Sequence, residues 1–214
     1  MTSLFVLCAP MVLLATPLAY GGEAPARMPA APSERALQQG AVPAIQETPR
    51  LGPFEKGAVG VEFGLGLLGE AWNLNRGREW LVDGTLSVWW AFVNRASLVA
   101  QVHATRVFQQ PNRDAFVTGF TPLVRFQLLD KEYLDLFTEI GVGASWSDTV
   151  VPPRGTRFNY VGLAGLGVSR RLGRQTHAIV GFRWLHLSNN GREGRDRNPD
   201  IQVIGGYGAV TIGL

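Results

Sequence analysis

"AFVTGFTPLVRFQL", residues 115–128, decides the fold. Taken alternately it separates into two faces, with Phe116, Phe120, Val124, Phe126 and Leu128 on one and Gly119, Thr121, Arg125 and Gln127 on the other. A period of two marks an extended strand, because successive side chains leave a sheet on opposite sides. Neighbouring segments repeat the pattern. Leu98, Ala100, Val102 and Ala104 alternate with Ser97, Gln101, His103 and Thr105. Leu134, Leu136, Ile140, Val142 and Trp146 alternate with Asp135, Glu139, Gly143 and Ser145.

Working outward, eight runs share this character: 57–69, 79–93, 96–109, 114–128, 132–147, 157–171, 175–189 and 199–213. Between them "NLNRGR", "QQPNRD" and "SDTVVPPRGTR" read as loops, and "VNRA", "LLDKEY" and "RRLGRQ" as tight turns. Long and short connections therefore alternate, as they do in an eight-stranded outer-membrane β-barrel. The chain is 46% hydrophobic and only 17% charged, with 26 glycines, which suits a wall facing lipid. No run is long and apolar enough for a helical span, and the mild charge of +3 gives no basic patch for nucleic acid. Glu62, Asp83, His103, Arg125, Glu139 and Arg183 all fall on the inner face, where an eight-stranded barrel must fill its lumen with side chains that satisfy one another. Trp72, Trp80, Trp90, Trp146 and Trp184 lie near strand ends, as interfacial girdles require. A soluble lipocalin-like barrel binding an apolar ligand is the alternative fold, and it would need polar residues outside.

The first residues, "MTSLFVLCAPMVLLATPLAYGGEA", carry an apolar stretch from Leu4 to Leu18 and then small residues. Residues 1–21 are expected to be a secretory signal peptide, which would remove Cys8, the only cysteine. Residues 22–56, rich in Ala, Pro, Glu and Gln, are expected to be a flexible lead-in to a barrel over 57–214.

The last hairpin carries the chemistry. In "RWLHLSNNGREGRDRNPDIQ", residues 183–202, Trp184, His186 and Ser188 share a face, which the parity of Phe182 and Val180 places outward. On the returning strand Asp200, Gln202 and Ile204 share the corresponding face. With a periplasmic N-terminus, this cluster sits at the outer leaflet, where lipid ester bonds lie. A serine hydroxyl becomes nucleophilic when a neighbouring base takes its proton, and His186 is two residues away on the same face. Asp200 could hold the imidazole's other N–H, and Asn189, Asn190 or Gly191 could donate to an oxyanion. The other reading is a non-catalytic structural or adhesive barrel whose rim polar residues bond headgroups and water. No metal-ligand set emerges from three histidines, and no cofactor is expected.

The segment "GFRWLHLSNNG…RNPDIQ" resembles the lipid A 3-O-deacylase (PagL-type, acyloxyacyl hydrolase) family, with its H-x-S-N motif followed by an N-P-x-I element. "LFTEIGVGASW" and "PPRGTRFNYVGLAGLGVSRRL" are similar to the strands preceding that motif. The resemblance implies an eight-stranded outer-membrane barrel that removes the 3-O-acyl chain of lipid A or a related glycolipid, in a family that uses a Ser-His-Glu triad. It implies His186 as base, Ser188 as nucleophile, and Asn189 and Gly191 at the oxyanion. Spacing from the serine puts the acid at Asp200, whereas aligning the N-P-x-I element puts Gln202 there; Glu193 in the loop is a third option. Arg192, Arg195 and Arg197 could engage lipid phosphates. A homodimer is an open option.

Overall fold

The computed structural model describes residues 52–71, 78–131 and 133–214, and of Arg195 the backbone alone. Eight strands follow one another: β1 (Val59–Glu70), β2 (Trp80–Val93), β3 (Ala96–Phe108), β4 (Ala115–Lys131), β5 (Leu134–Val151), β6 (Thr156–Arg171), β7 (Thr176–Ser188) and β8 (Ile201–Gly213). Each pairs antiparallel with the next, and β8 returns to β1, closing the barrel. Closure leaves no strand edge unpaired, which hydrocarbon demands of any sheet it surrounds.

The ends of β2, β4 and β6 lie where the chain enters the barrel, with the short turns 94–95 and 172–175; the ends of β1, β3, β5 and β7 lie at the other, with the connections 109–114, 152–155 and 189–200. One expected loop is shorter than its composition suggests. Residues 147–157 read as a long connection, yet β5 continues to Val151, which pairs with Thr156 after a register shift beyond Trp146. The Asn159 amide donates to the carbonyls of Val151 and Thr156 at 3.0 and 3.2 Å, strapping this proline-containing hairpin into the sheet.

The lead-in also ends earlier than expected. Phe54 is buried, its ring 5.9 Å from that of Phe137. The Pro53 carbonyl accepts from Ser97 Oγ at 2.8 Å, and the Phe54 carbonyl accepts from the Arg95 amide at 2.8 Å. Residues 52–56 thus cap the lower mouth of the barrel rather than belonging to a flexible tether. The expected signal peptide, the rest of the lead-in and Trp72 lie outside the described residues.

Alternation decides what faces where. Phe63, Leu65, Leu67, Val88, Ile140, Val142, Val180 and Phe182 are each more than half exposed on the outer wall. Contiguous apolar surface of this kind is what lipid covers, and it overturns the soluble alternative. Inside, Arg125 clasps Glu62 with two bonds of 2.8 and 3.0 Å and reaches Glu139 at 3.0 and 3.1 Å. Arg183 completes the chain through the other oxygen of Glu139. His103 lies 3.1 Å from Asp83, which also accepts from Thr105 at 2.6 Å. The six residues expected to fill the lumen are all there. Two arginines against two glutamates leave the central cluster neutral, which offsets the desolvation that isolated charges would suffer. Guanidinium planes add contacts, Arg183 lying 3.8 Å over Tyr207 and Arg125 4.6 Å over Phe137. Glycines make room: a Cβ on Gly167 would lie 2.4 Å from the tip of the Phe137 ring.

Candidate active site on the outer wall

β7 ends at Ser188, and strand alternation sends His186 and Ser188 out of the wall together. An open groove of about 470 Å³ runs beside them, lined by Val142, Tyr160, Gly162, His186, Ser188 and Asn190 among others. The register explains it. Val142, Gly162 and His186 form one row across β5, β6 and β7, so β6 contributes no side chain where the imidazole sits. A Cβ at Gly162 would meet His186 Cβ at 3.6 Å and the Trp184 ring at 3.9 Å. Trp184 stacks on His186 with ring centres 5.8 Å apart and 14° between planes.

The hydroxyl is held differently from expectation. Ser188 Oγ donates to Asn198 Oδ1 at 3.0 Å rather than to His186. The same Asn198 oxygen accepts the Asn189 amide at 2.9 Å, and the Asn190 amide donates to Ser188 Oγ at 3.1 Å. His186 Nδ1 is buried without a hydrogen-bond partner in the described structure. Asn198 was not singled out from the sequence, although the same N-P element contains it.

Across the hairpin, Gln202 is the direct partner of His186, and the ladder ends at Leu187 with Ile201. Asp200 is half-buried, one residue before β8 and two before Gln202. Continuing the register would bring it opposite Ser188. Gln202 keeps the outward parity read from the sequence, in the row of the imidazole, whereas Asp200 precedes the strand.

Two expected oxyanion donors are placed elsewhere. Asn189 follows Ser188 by one residue, so alternation turns it inward, and it is only 2% exposed. Its amide nitrogen donates to Thr156 Oγ1 and the Arg197 carbonyl, and its oxygen accepts the Gly191 amide at 2.8 Å. Asn189 and Gly191 thus bond each other and build the loop, while the Asn190 amide faces the hydroxyl. Parity alone would have predicted this. Glu193 is exposed at the loop and paired with Arg197 at 2.6 Å. Arg192 lies beside the groove, 3.4 Å from the Tyr160 hydroxyl and 5.7 Å from the Phe158 ring centre. Arg195 begins a single 3-10 turn, Arg195–Arg197. Among the described residues, no cluster of three or more His, Cys, Asp or Glu could hold a metal.

A family model for lipid A 3-O-deacylase (PagL) matches residues 58–209, the whole barrel apart from its last few residues. The chain belongs to the lipid A 3-O-deacylase (PagL) family. With the apolar outer wall, this makes it a bacterial outer-membrane barrel, whose long connections face outward. Among solved structures, the outer membrane enzyme PagL is similar at 17% identity with a TM-score of 0.49, covering 70% of this chain and 97% of that one. The outer membrane protein OprG from Pseudomonas aeruginosa is similar at 12% identity with a TM-score of 0.44, covering 74% and 99%. No curated protein sequence matches the chain.

Proposed function

We propose that this protein is an outer-membrane serine esterase that removes the 3-O-acyl chain of lipid A or a closely similar outer-leaflet glycolipid. The observation that carries the reading is the groove in the lipid-facing wall, with an imidazole and a hydroxyl at its head. An ester inside the bilayer reaches that point without leaving hydrocarbon. In the resting state Ser188 is bonded to Asn198, and rotation between staggered χ1 wells turns the hydroxyl to His186. Such bonds are commonly loose before substrate arrives.

His186 then takes the hydroxyl proton as Ser188 Oγ attacks the ester carbonyl. The Asn190 amide, which donates to Ser188 Oγ at 3.1 Å in the resting state, turns to the tetrahedral oxyanion that forms beside it. Collapse expels the sugar alkoxide, which takes the proton from His186, and leaves an acyl-enzyme. Water activated by His186 releases the fatty acid and restores the serine. Asp200 supplies the negative charge that stabilises the imidazolium, and the Gln202 amide, in the row of the ring, orients it. Arg192 stands where a glycolipid phosphate would pass, a contact suited to a guanidinium.

The test is mass spectrometry of lipid A incubated with purified protein. The wild type removes one hydroxyacyl chain, and Ser188→Ala removes it about 10⁴-fold or more slowly. Identical lipid A profiles for the two would instead make the barrel non-catalytic.

A further inference from the structure

The outer wall changes character just above Ser188. Along β5 the outward residues run Val142, Ala144, Trp146 and Asp148. Val142 is 72% exposed, towards hydrocarbon, whereas Asp148 is a carboxylate whose Oδ1 accepts the Phe116 amide at 2.9 Å. Beside Trp146 on β4 stands Thr118. Trp146 therefore sits where lipid tails give way to headgroups, a depth that suits an amphipathic indole. Its neighbours connect it to the candidate site. It pairs with Phe158, the ring centres 6.5 Å apart and tilted by 55°. Phe158 meets Tyr160 edge-on, at 5.2 Å and 83°, and Tyr160 pairs with Ser188. Three rings thus run from the serine up and across the wall.

Of the three, Trp146 is the most open. Tyr160 is tied through its hydroxyl to Arg192, and the Arg192 guanidinium stands 5.7 Å over the half-buried Phe158. Trp146 is 58% exposed. Trp80, at the same end of the barrel on β2, differs: it stacks flat on Phe108 at 3.8 Å and 7°, so one of its faces is taken up. The face of an indole carries the negative part of its quadrupole, which attracts the C–H groups on the face of a pyranose.

We infer that Trp146 is the platform for a second sugar ring, joined to the one whose ester Ser188 cuts, so that disaccharide glycolipids are preferred over monosaccharide ones. This rests on the reading of the Ser188 groove as an ester site and adds a substrate class to it. Trp146 lies two strands and two residues from Ser188, roughly 12 Å between α-carbons at about 4.8 Å per strand and about 3.3 Å per residue. A pyranose with its bridging oxygen is about four bonds long, roughly 5 Å. The sugar held at Ser188 then falls over Tyr160, and the next one reaches the indole. This second ring is remote from the ester, so its contact is the same before and during the reaction and acts on KM rather than kcat.

The experiment measures kcat and KM of the full chain in detergent micelles on two esters with the same 3-O-acyl chain. One is carried on glucosamine phosphate, the other on a glucosamine disaccharide phosphate. Wild type is expected to favour the disaccharide about tenfold in kcat/KM, the upper end of what one aromatic contact supplies. Trp146→Leu raises KM for the disaccharide about tenfold, leaves the monosaccharide constants in place and so abolishes the preference. Trp146→Tyr keeps most of it, and Trp80→Leu keeps all of it. The monosaccharide rate also reports folding, because an unfolded barrel loses both substrates. A wild type that cleaves both esters equally, or a Trp146→Leu variant that keeps the preference, overturns the platform alone. Equal loss on both substrates in Trp146→Leu makes the indole an anchor of the barrel and overturns the platform as well. A wild type that cleaves neither ester overturns the platform and the esterase reading together.

Discussion

At His186 a neutral amide stands where a triad would hold a charge. Gln202 faces the imidazole across the ladder, and an amide can orient a ring without stabilising its protonated form. In the proposed reaction the charge comes from Asp200, at a diagonal position, where cross-strand Cβ atoms are about 7–8 Å apart rather than about 5 Å. Two substitutions therefore move in opposite directions. Gln202→Glu is expected to raise the deacylation rate about tenfold, and Asp200→Asn to lower it by about tenfold or more, since a charge beside the imidazolium in low dielectric is worth more than one pKa unit. Single-turnover release of fatty acid measures both. If Asp200→Asn is neutral while Gln202→Glu activates, the wild type works without a charged orienting group.

Among the elements, β6 positions the site and the 189–200 loop holds it. Gly162 faces His186 from β6, and its missing side chain keeps the wall open. Gly162→Ala, placing a Cβ in ordinary contact at 3.6 Å, is expected to keep most activity. Gly162→Leu fills the groove and is expected to lower turnover about a hundredfold with unchanged unfolding in urea, because the new side chain faces lipid. Most of this arrangement was legible in the chain: alternation in 178–188 and 202–212 assigned inside and outside, and the turns fell within a few residues of their places. What escaped has physical reasons. Pro152, Pro153 and Gly155 hid a hairpin extension that depends on the Asn159 side chain. Phe54 looked like part of a polar tether, because its partner Phe137 is far along the chain. Asn198 reaches Ser188 only through the return of the loop, which spacing along the sequence does not reveal.

For the whole molecule, the packed interior sets the stability. Apolar residues that face lipid gain nothing by burial, so cohesion rests on the ladder, on buried apolar clusters such as Leu81, Val107, Leu185 and Val203, and on the ion cluster within. Arg125→Met would leave Glu62 buried without its guanidinium. The expected loss is about 3–5 kcal/mol in urea titrations of the barrel in lipid vesicles. Replacing Arg125 and Glu62 together by apolar residues of similar volume is expected to recover most of it. The same filling also governs what crosses the envelope. A bore stoppered by guanidinium, carboxylate and aromatic rings passes no current, so planar bilayers containing the protein are expected to stay electrically silent under applied voltage. A bacterium could then crowd its surface with this protein without opening a leak to salts or drugs.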